Sequence, residues 1–199
     1  MRDIGFDGSN QPTATAPCMQ FLNCANLQIV GGEWRNTKRG IVSFNTCSNA
    51  IISNGYFHDS GTDFVSPNGV NQGDAIDVFN SSDITVAENK IDMIWQIAIF
   101  VFNDSIGGVS KDIVIRGNHC TNIQDNGIRC QPADPGFIGV QNVTIQDNYV
   151  DTVRIDAIRA NGLQIRVYNN TILNALGSAV KTEGGKDIAI KDNNIRDCG

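Results

Sequence analysis

The residues best suited to acid–base chemistry fall in one run, His58-Asp59-Ser60-Gly61-Thr62-Asp63, followed by Asp74 and Asp77. Cleaving a glycosidic bond takes two carboxyls about 5–9 Å apart, one to give a proton and one to activate water or attack the sugar. Asp74 and Asp77 stand three residues apart and could form such a pair, as could Asp77 with Asp63. Asp59, Asp63 and Asp74 equally suit turns. Asp77 is the stronger candidate, because it sits in mid-strand, where Asp is unfavourable without a reason. His58, an imidazole in this acidic run, is a candidate acid or base; His119 falls on a turn between repeats. Further along, Arg129, Arg159 and Lys181 recur at matching positions. Such cations would receive the carboxylates of an acidic polymer and steady the enolate formed when a base removes a proton α to a carboxylate. They would equally be neutralised from within by Asp77, Asp156 and Glu183.

Groups this far apart in sequence meet only if the chain returns repeatedly to one place. A first template has an apolar–x–apolar strand, two polar residues, an Asn or Gly, then another apolar residue. It recurs in NLQIVGGEW (26–34), SNAIISNGYF (48–57), SDITVAENKI (82–91), KDIVIRGNHC (111–120), QNVTIQDNYV (141–150), LQIRVYNNTI (163–172) and KDIAIKDNNI (186–195). RDIGFDGSNQ (2–11) reads as an eighth occurrence. A second template, a small residue followed by alternating apolar positions, gives CMQFLN (18–23), GIVSFN (40–45), AIDVFN (75–80), AIFVFN (98–103), GIRCQP (127–132), AIRANG (157–162) and AVKTEG (179–184). Their starts are separated by 22, 35, 23, 29, 30 and 22 residues, a basic period of 22–23 with three lengthened repeats. Short strands separated by Asn, Gly and Asp turns fit that period. One such unit cannot bury enough apolar surface to offset the entropy of ordering it, so only a stack folds. The expected fold is all-β: a single-stranded right-handed parallel β-helix, a solenoid of about eight coils, in one domain over residues 1–199.

In a stack, residues one repeat apart form columns. Gly32, Gly55, Asn89, Asn118, Asn148, Asn170 and Asn193 share a turn position, and their amides are expected to hydrogen-bond along the column. Cys120 falls with Ile91 and Val150, and Cys130 with Val78, as core thiols. Cys24 and Cys47 occupy nearly equivalent places in adjacent coils, either as a disulfide or as two stacked free thiols. On the outer face of the second-template sheet, one expected column reads Gln20, Val42, Asp77, Phe100, Arg129, Arg159, Lys181. The other reads Leu22, Phe44, Phe79, Phe102, Gln131, Asn161, Glu183. Asp77, Asp74, Arg129, Arg159 and His58 are therefore the candidate catalytic residues, and Phe79, Phe100, Phe102, Gln131, Asn161 and Lys181 the candidate substrate contacts. The aromatic rings, Phe44 included, would form a sugar platform unless the flanking loops bury them. Three insertions, Ser60–Gly73, Asp104–Ser110 and Ala133–Val140, border this sheet and would wall a groove suited to a polymer.

Charged residues are only 18% of the chain, and the net charge of -6 argues against nucleic acid or an anionic membrane as partner. No apolar run reaches the 18 or so residues of a bilayer span, and MRDIGFDGSN lacks the apolar core of a secretory signal. The six cysteines show no CxxC pair or metal-ligand spacing, and no calcium-binding repeat is present. No cofactor is expected; calcium is not indicated by the sequence. Both ends cut across a strand template, which predicts a fragment, or a domain whose neighbours cover the ends.

The alternation of GI-type strands with NxxIxxNxI strands resembles the pectate-lyase-like right-handed β-helix superfamily, in its generic parallel β-helix repeat branch. That branch includes alginate epimerases, periplasmic copper-site maturation proteins and phage tailspikes. The resemblance covers nearly the whole chain. It implies an extracellular, virion or cell-surface setting and a polysaccharide partner, with a homotrimer if the chain is part of a tailspike. The alginate epimerase run Tyr-Gly-x-Asp-Pro-His is absent, Tyr56-Phe57-His58-Asp59 being the nearest stretch. The polygalacturonase set of Asn-Thr-Asp, Asp-Asp and Gly-His-Gly is absent too, so no family catalytic residue carries over. The expected function is to bind and modify or cleave a polysaccharide, an acidic glycan by the cation column, through lyase, hydrolase or epimerase chemistry. The alternative is a non-catalytic β-helix of a phage tail, adhesin or surface stalk. The maturation-factor function is disfavoured, because the Met, His and Cys wealth it needs is missing.

Overall fold

The computed structural model describes residues 1–8, 17–38, 40–61, 73–103, 108–133 and 139–199. Among them the chain is all-β, with 22 strands in three sheets of eight, seven and seven, every neighbouring pair parallel. Each sheet takes every third strand in chain order, which is a right-handed parallel β-helix of seven to eight coils. No helix is long and apolar enough to cross a membrane among these residues.

Ile and Val fill the interior in columns, such as Ile84, Ile113, Val143 and Ile165 on one sheet and Ile76, Ile99, Ile128 and Ile158 on another. Cys120 stands between Ile91 and Val150, and Cys130 follows Val101 and Val78. Burial pushes both thiols up to about 12, so they pack as small apolar groups. The turns bring each coil round through left-handed residues in columns, among them Asn26, Asn49, Asp83, Asp112, Asn142, Gln164 and Asp187.

The asparagine column is a continuous hydrogen-bonded stack. Each Nδ2 donates to the Oδ1 of the next rung at 3.0 Å, from Asn89 through Asn118, Asn148 and Asn170 to Asn193. The backbone N–H of each donates to the same oxygen. The column ends at Gly55 for a steric reason. A Cβ there would lie 2.6 Å from the Phe57 ring and 2.9 Å from Trp34. Those two rings stack at 4.8 Å inside the same corner and occupy the space an amide would need.

Two registers differ from the expected ones. Val42 pairs with Ile76 and Phe44 with Val78, so Ser43 and Asn45 face outward where Val42 and Phe44 were expected. Both Val42 and Phe44 are fully buried, and Phe44 stacks on Phe21 at 5.5 Å. The small residue of GIVSFN is Gly40, yet it is Ile41 that takes the place of Ala75; the neighbouring glycine mimicked the template one residue early. At the N-terminus, Arg2 bridges Val30 and Phe6 pairs with Trp34, so DIGF runs through a turn into the next sheet.

Candidate functional site

The second-template sheet consists of Met19–Leu22, Val42–Asn45, Ile76–Phe79, Ile99–Asn103, Ile128–Pro132, Ile158–Ala160 and Val180–Lys181. Pleating sends every other side chain outward, and parallel pairing stacks them about 4.8 Å apart. The outward column reads Gln20, Ser43, Asp77, Phe100, Arg129, Arg159, Lys181. Seven of the sequence-derived candidates thus share one face with Asp77: Phe79, Phe100, Phe102, Arg129, Gln131, Arg159 and Lys181.

Asp74 lies two residues before Ile76, at the turn into this sheet. Its Oδ1 accepts the backbone N–H of Ile97 at 2.9 Å. Asp156 holds the equivalent place before Ile158 and accepts the N–H of Ser178 at 3.1 Å. The tripeptides Asp74-Ala75-Ile76 and Asp156-Ala157-Ile158 are identical. That repeat places Asp156, already expected beside the cation column, in the same role at the turn.

Asp74 is hydrogen-bonded to Asp77, and its carboxyl is pushed up to about 7. Desolvation is the main cause, and the negative charge of Asp125 adds to it. The Ile97 N–H, the bond to Asp77 and the Arg129 charge oppose it. Asp74 therefore keeps a proton into the neutral range. A further carboxylate comes from Asp125, which the sequence reading missed. Its Oδ2 lies 3.9 Å from Arg129 Nη1.

Arg129 donates from Nε to Gln131 Oε1 at 2.7 Å, and its guanidinium lies 5.4 Å from the centre of the Phe100 ring. Burial and the adjacent Arg159 charge pull its pKa down. Arg159 is paired with the carboxylate of Glu183, and Lys181 Nζ reaches the same carboxylate at 3.1 Å and Asp156 at 4.0 Å. The internal neutralisation open at the sequence level is thus present for Arg159 and Lys181, through the half-exposed Glu183. Lys181, then desolvation overcome by Arg159, sets the balance that holds Glu183 below the usual carboxylate range. Asn161 is buried, and its Oδ1 accepts the Glu183 N–H at 2.6 Å.

Phe79, Phe100 and Phe102 form a half-buried cluster, with Phe100 and Phe102 stacked at 5.0 Å and Phe79 edge-on to Phe102 at 5.7 Å. Phe102 pairs with Gln131. His58 is elsewhere. It lies on the eight-stranded sheet between Arg35 and Asp92, stacked on Tyr56 at 4.1 Å. Both its ring nitrogens are engaged, with Asp59 at 2.7 Å and Glu33 at 3.0 Å. Asp59 is a left-handed turn residue. Asp63 and most of the three insertions lie outside the described residues. Among those that are described, no group of three or more His, Cys, Asp or Glu is gathered to hold a metal.

No curated protein matches the chain. Solved structures do. The Dettilon tailspike protein superposes with a TM-score of 0.58 at 11% identity, over 86% of this chain and 42% of that one. The periplasmic alginate epimerase AlgG gives 0.57 at 11%, over 89% and 47%. The polygalacturonase from Erwinia carotovora ssp. carotovora gives 0.56 at 14%, over 89% and 72%. This chain therefore spans less than half the length of the first two, and identities this low speak for the fold alone. The pattern of the right-handed β-helix region matches residues 13–159, most of the chain, and this protein belongs to that family.

Proposed function

We propose that this protein binds an acidic polysaccharide along the Asp77 face and modifies or cleaves it. The observation that carries the reading is Asp74, its carboxyl pushed up to about 7 and bonded to Asp77, beside the outer column of Asp77, Phe100, Arg129 and Arg159. An acid that is half-protonated near pH 7 can give a proton to a glycosidic oxygen or, once ionised, remove one α to a carboxylate. Arg129 and Arg159 stand where a substrate carboxylate would be received, and the phenylalanine cluster offers apolar surface to a sugar ring. Two of the structural neighbours are named as an alginate epimerase and a polygalacturonase, and a third as a tailspike, which supports a carbohydrate partner and an extracellular or surface setting. Glu183 already occupies the anion-facing side of Arg159 and Lys181, so an acidic sugar there has to displace it.

The same internal pairing favours a second reading, a non-catalytic stalk or tail component in which the column is structural. A panel of acidic and neutral polysaccharides separates the two. Catalysis is expected to release reducing ends, or an unsaturated product that absorbs in the ultraviolet, or to change sugar configuration detectably by NMR. Asp77→Ala or Arg129→Ala is expected to abolish that signal while the fold is kept. Binding without any chemical change, or no binding at all, would give the case to the stalk.

A further inference from the structure

The corner leading out of the Asp77 sheet carries a column that this function does not use. Ala25 pairs with Ser48, Ser48 with Ser82, and Ser82 with Lys111, which stacks Cys24, Cys47, Ser81 and Ser110 one above another. All four make the same local bond, to a carbonyl at the end of the preceding strand. Cys24 Sγ donates to Leu22 at 3.4 Å and Cys47 Sγ to Asn45 at 3.5 Å; Ser81 Oγ donates to Phe79 at 2.6 Å and Ser110 Oγ to Phe102 at 2.7 Å. A hydroxyl is the better donor for that purpose, since S–H is weak. The bond explains the two serines and leaves the adjacent pair of cysteines without a reason. What two thiols one coil apart can do, and two hydroxyls cannot, is join.

We propose that Cys24 and Cys47 are an oxidisable pair whose disulfide ties the first coil to the second. Neighbouring parallel strands lie about 4.8 Å apart, within the roughly 4.4–6.8 Å between Cα atoms that a disulfide spans. The Ser48 N–H donates to the Cys24 carbonyl at 2.9 Å, which fixes the corner in register. Both side chains pack on the core, and the Cys47 thiol also reaches back to the coil of Cys24, donating to the Phe21 carbonyl at 3.4 Å. Cys47 is buried, whereas Cys24 is partly exposed, and all six cysteines are free in this structure. A low-molecular-weight disulfide is the oxidant. The Cys24 thiolate attacks one of its sulfurs and expels one small thiolate, forming a mixed disulfide. Cys47, as thiolate, then attacks the Cys24 sulfur and expels the second. Two protein thiols become one S–S bond, and their protons leave on two small thiols.

The test is to incubate the folded full chain with oxidised glutathione. Two of the six thiols are expected to disappear, the intact mass to fall by two hydrogens, and fragment mapping to join Cys24, not Cys18, to Cys47. Amide exchange of Met19–Leu22 is expected to slow by about 100-fold, the order expected for closing a loop of this length. Cys47→Ser is expected to fold, because Ser81 and Ser110 fill the same position in the next two coils, and to stop at a glutathione adduct on Cys24. A wild-type protein that stops at the adduct, stays unreacted, bridges Cys24 to another cysteine, or bridges Cys47 without slowing exchange would overturn the proposal. None of these readouts depends on the polysaccharide activity.

Discussion

Asp74 and Asp77 illustrate how burial and one neighbour make a reactive group out of ordinary turn chemistry. Asp74 caps a turn as Asp156 does three coils on, but burial and the nearby charge of Asp125 raise its affinity for a proton, against the opposing bond to Asp77. The stability consequence has a definite sign. The folded protein holds a proton that the unfolded chain releases at the ordinary carboxylate value of 3.8, so stability is fullest below about pH 4 on this account and falls as pH rises toward about 7. Melting temperature measured between pH 4 and 8 should show that decline, and Asp74→Asn should flatten it. Activity that uses Asp74 as an acid should fall over the same upper limb. A second residue-scale expectation concerns Asn118, which gives its amide to Asn148 and to two carbonyls and takes two bonds from Asn89. Asn118→Ala leaves several buried groups unpaired and should cost about 2–4 kcal/mol in urea unfolding, against about 1 kcal/mol for Asn193→Ala at the end of the column.

At the scale of elements, the positions of the aromatic residues decide which device holds each corner. Trp34 and Phe57 fill the inside of the first coils, and glycine at residues 32 and 55 makes room for them; farther along, Ile91 and smaller residues leave space for the asparagine stack. Gly55→Ala should therefore destabilise by about 1–3 kcal/mol through overpacking against Phe57. Adding Phe57→Ile, the size found at Ile91, should restore part of the loss. Pleat phase governs the neighbouring sheet in the same way. Phe44 and Phe79 sit in similar sequence contexts, yet Phe44 is buried against Phe21 and Phe79 is half-exposed. Truncating Phe44 to Ala should cost about 3–5 kcal/mol. Phe79→Ala should cost much less, and its effect should show in polysaccharide binding.

Over the whole molecule, each coil contacts only its neighbours, so stability is shared along the axis and is least at the ends. The strands Phe6–Asp7 and Asn194–Arg196 are exposed throughout, whereas the central strands carry fully buried Ile and Val. Hydrogen exchange should reach global protection in Ile113 and Ile145 and be fast at both ends; uniform protection would contradict an axial stack of this kind. Much of this was determined by the sequence. A 22–23-residue repeat with period-two alternation has one economical solution, and the columns of Cys120, Cys130, the asparagines, Arg129, Arg159 and Lys181 follow from the repeat alone. Tertiary structure decided what a repeat cannot encode. A template with a glycine beside its small residue fits in two phases, and only packing against Phe21 and Val78 chose the one that buries Phe44. The repeat also says which residues are one coil apart, but not which side chains lean together across a turn. The Asp74–Asp77 bond, the approach of Asp125 to Arg129 and the isolation of His58 on another sheet are set by backbone direction at the turns, where single residues in left-handed conformations redirect the chain.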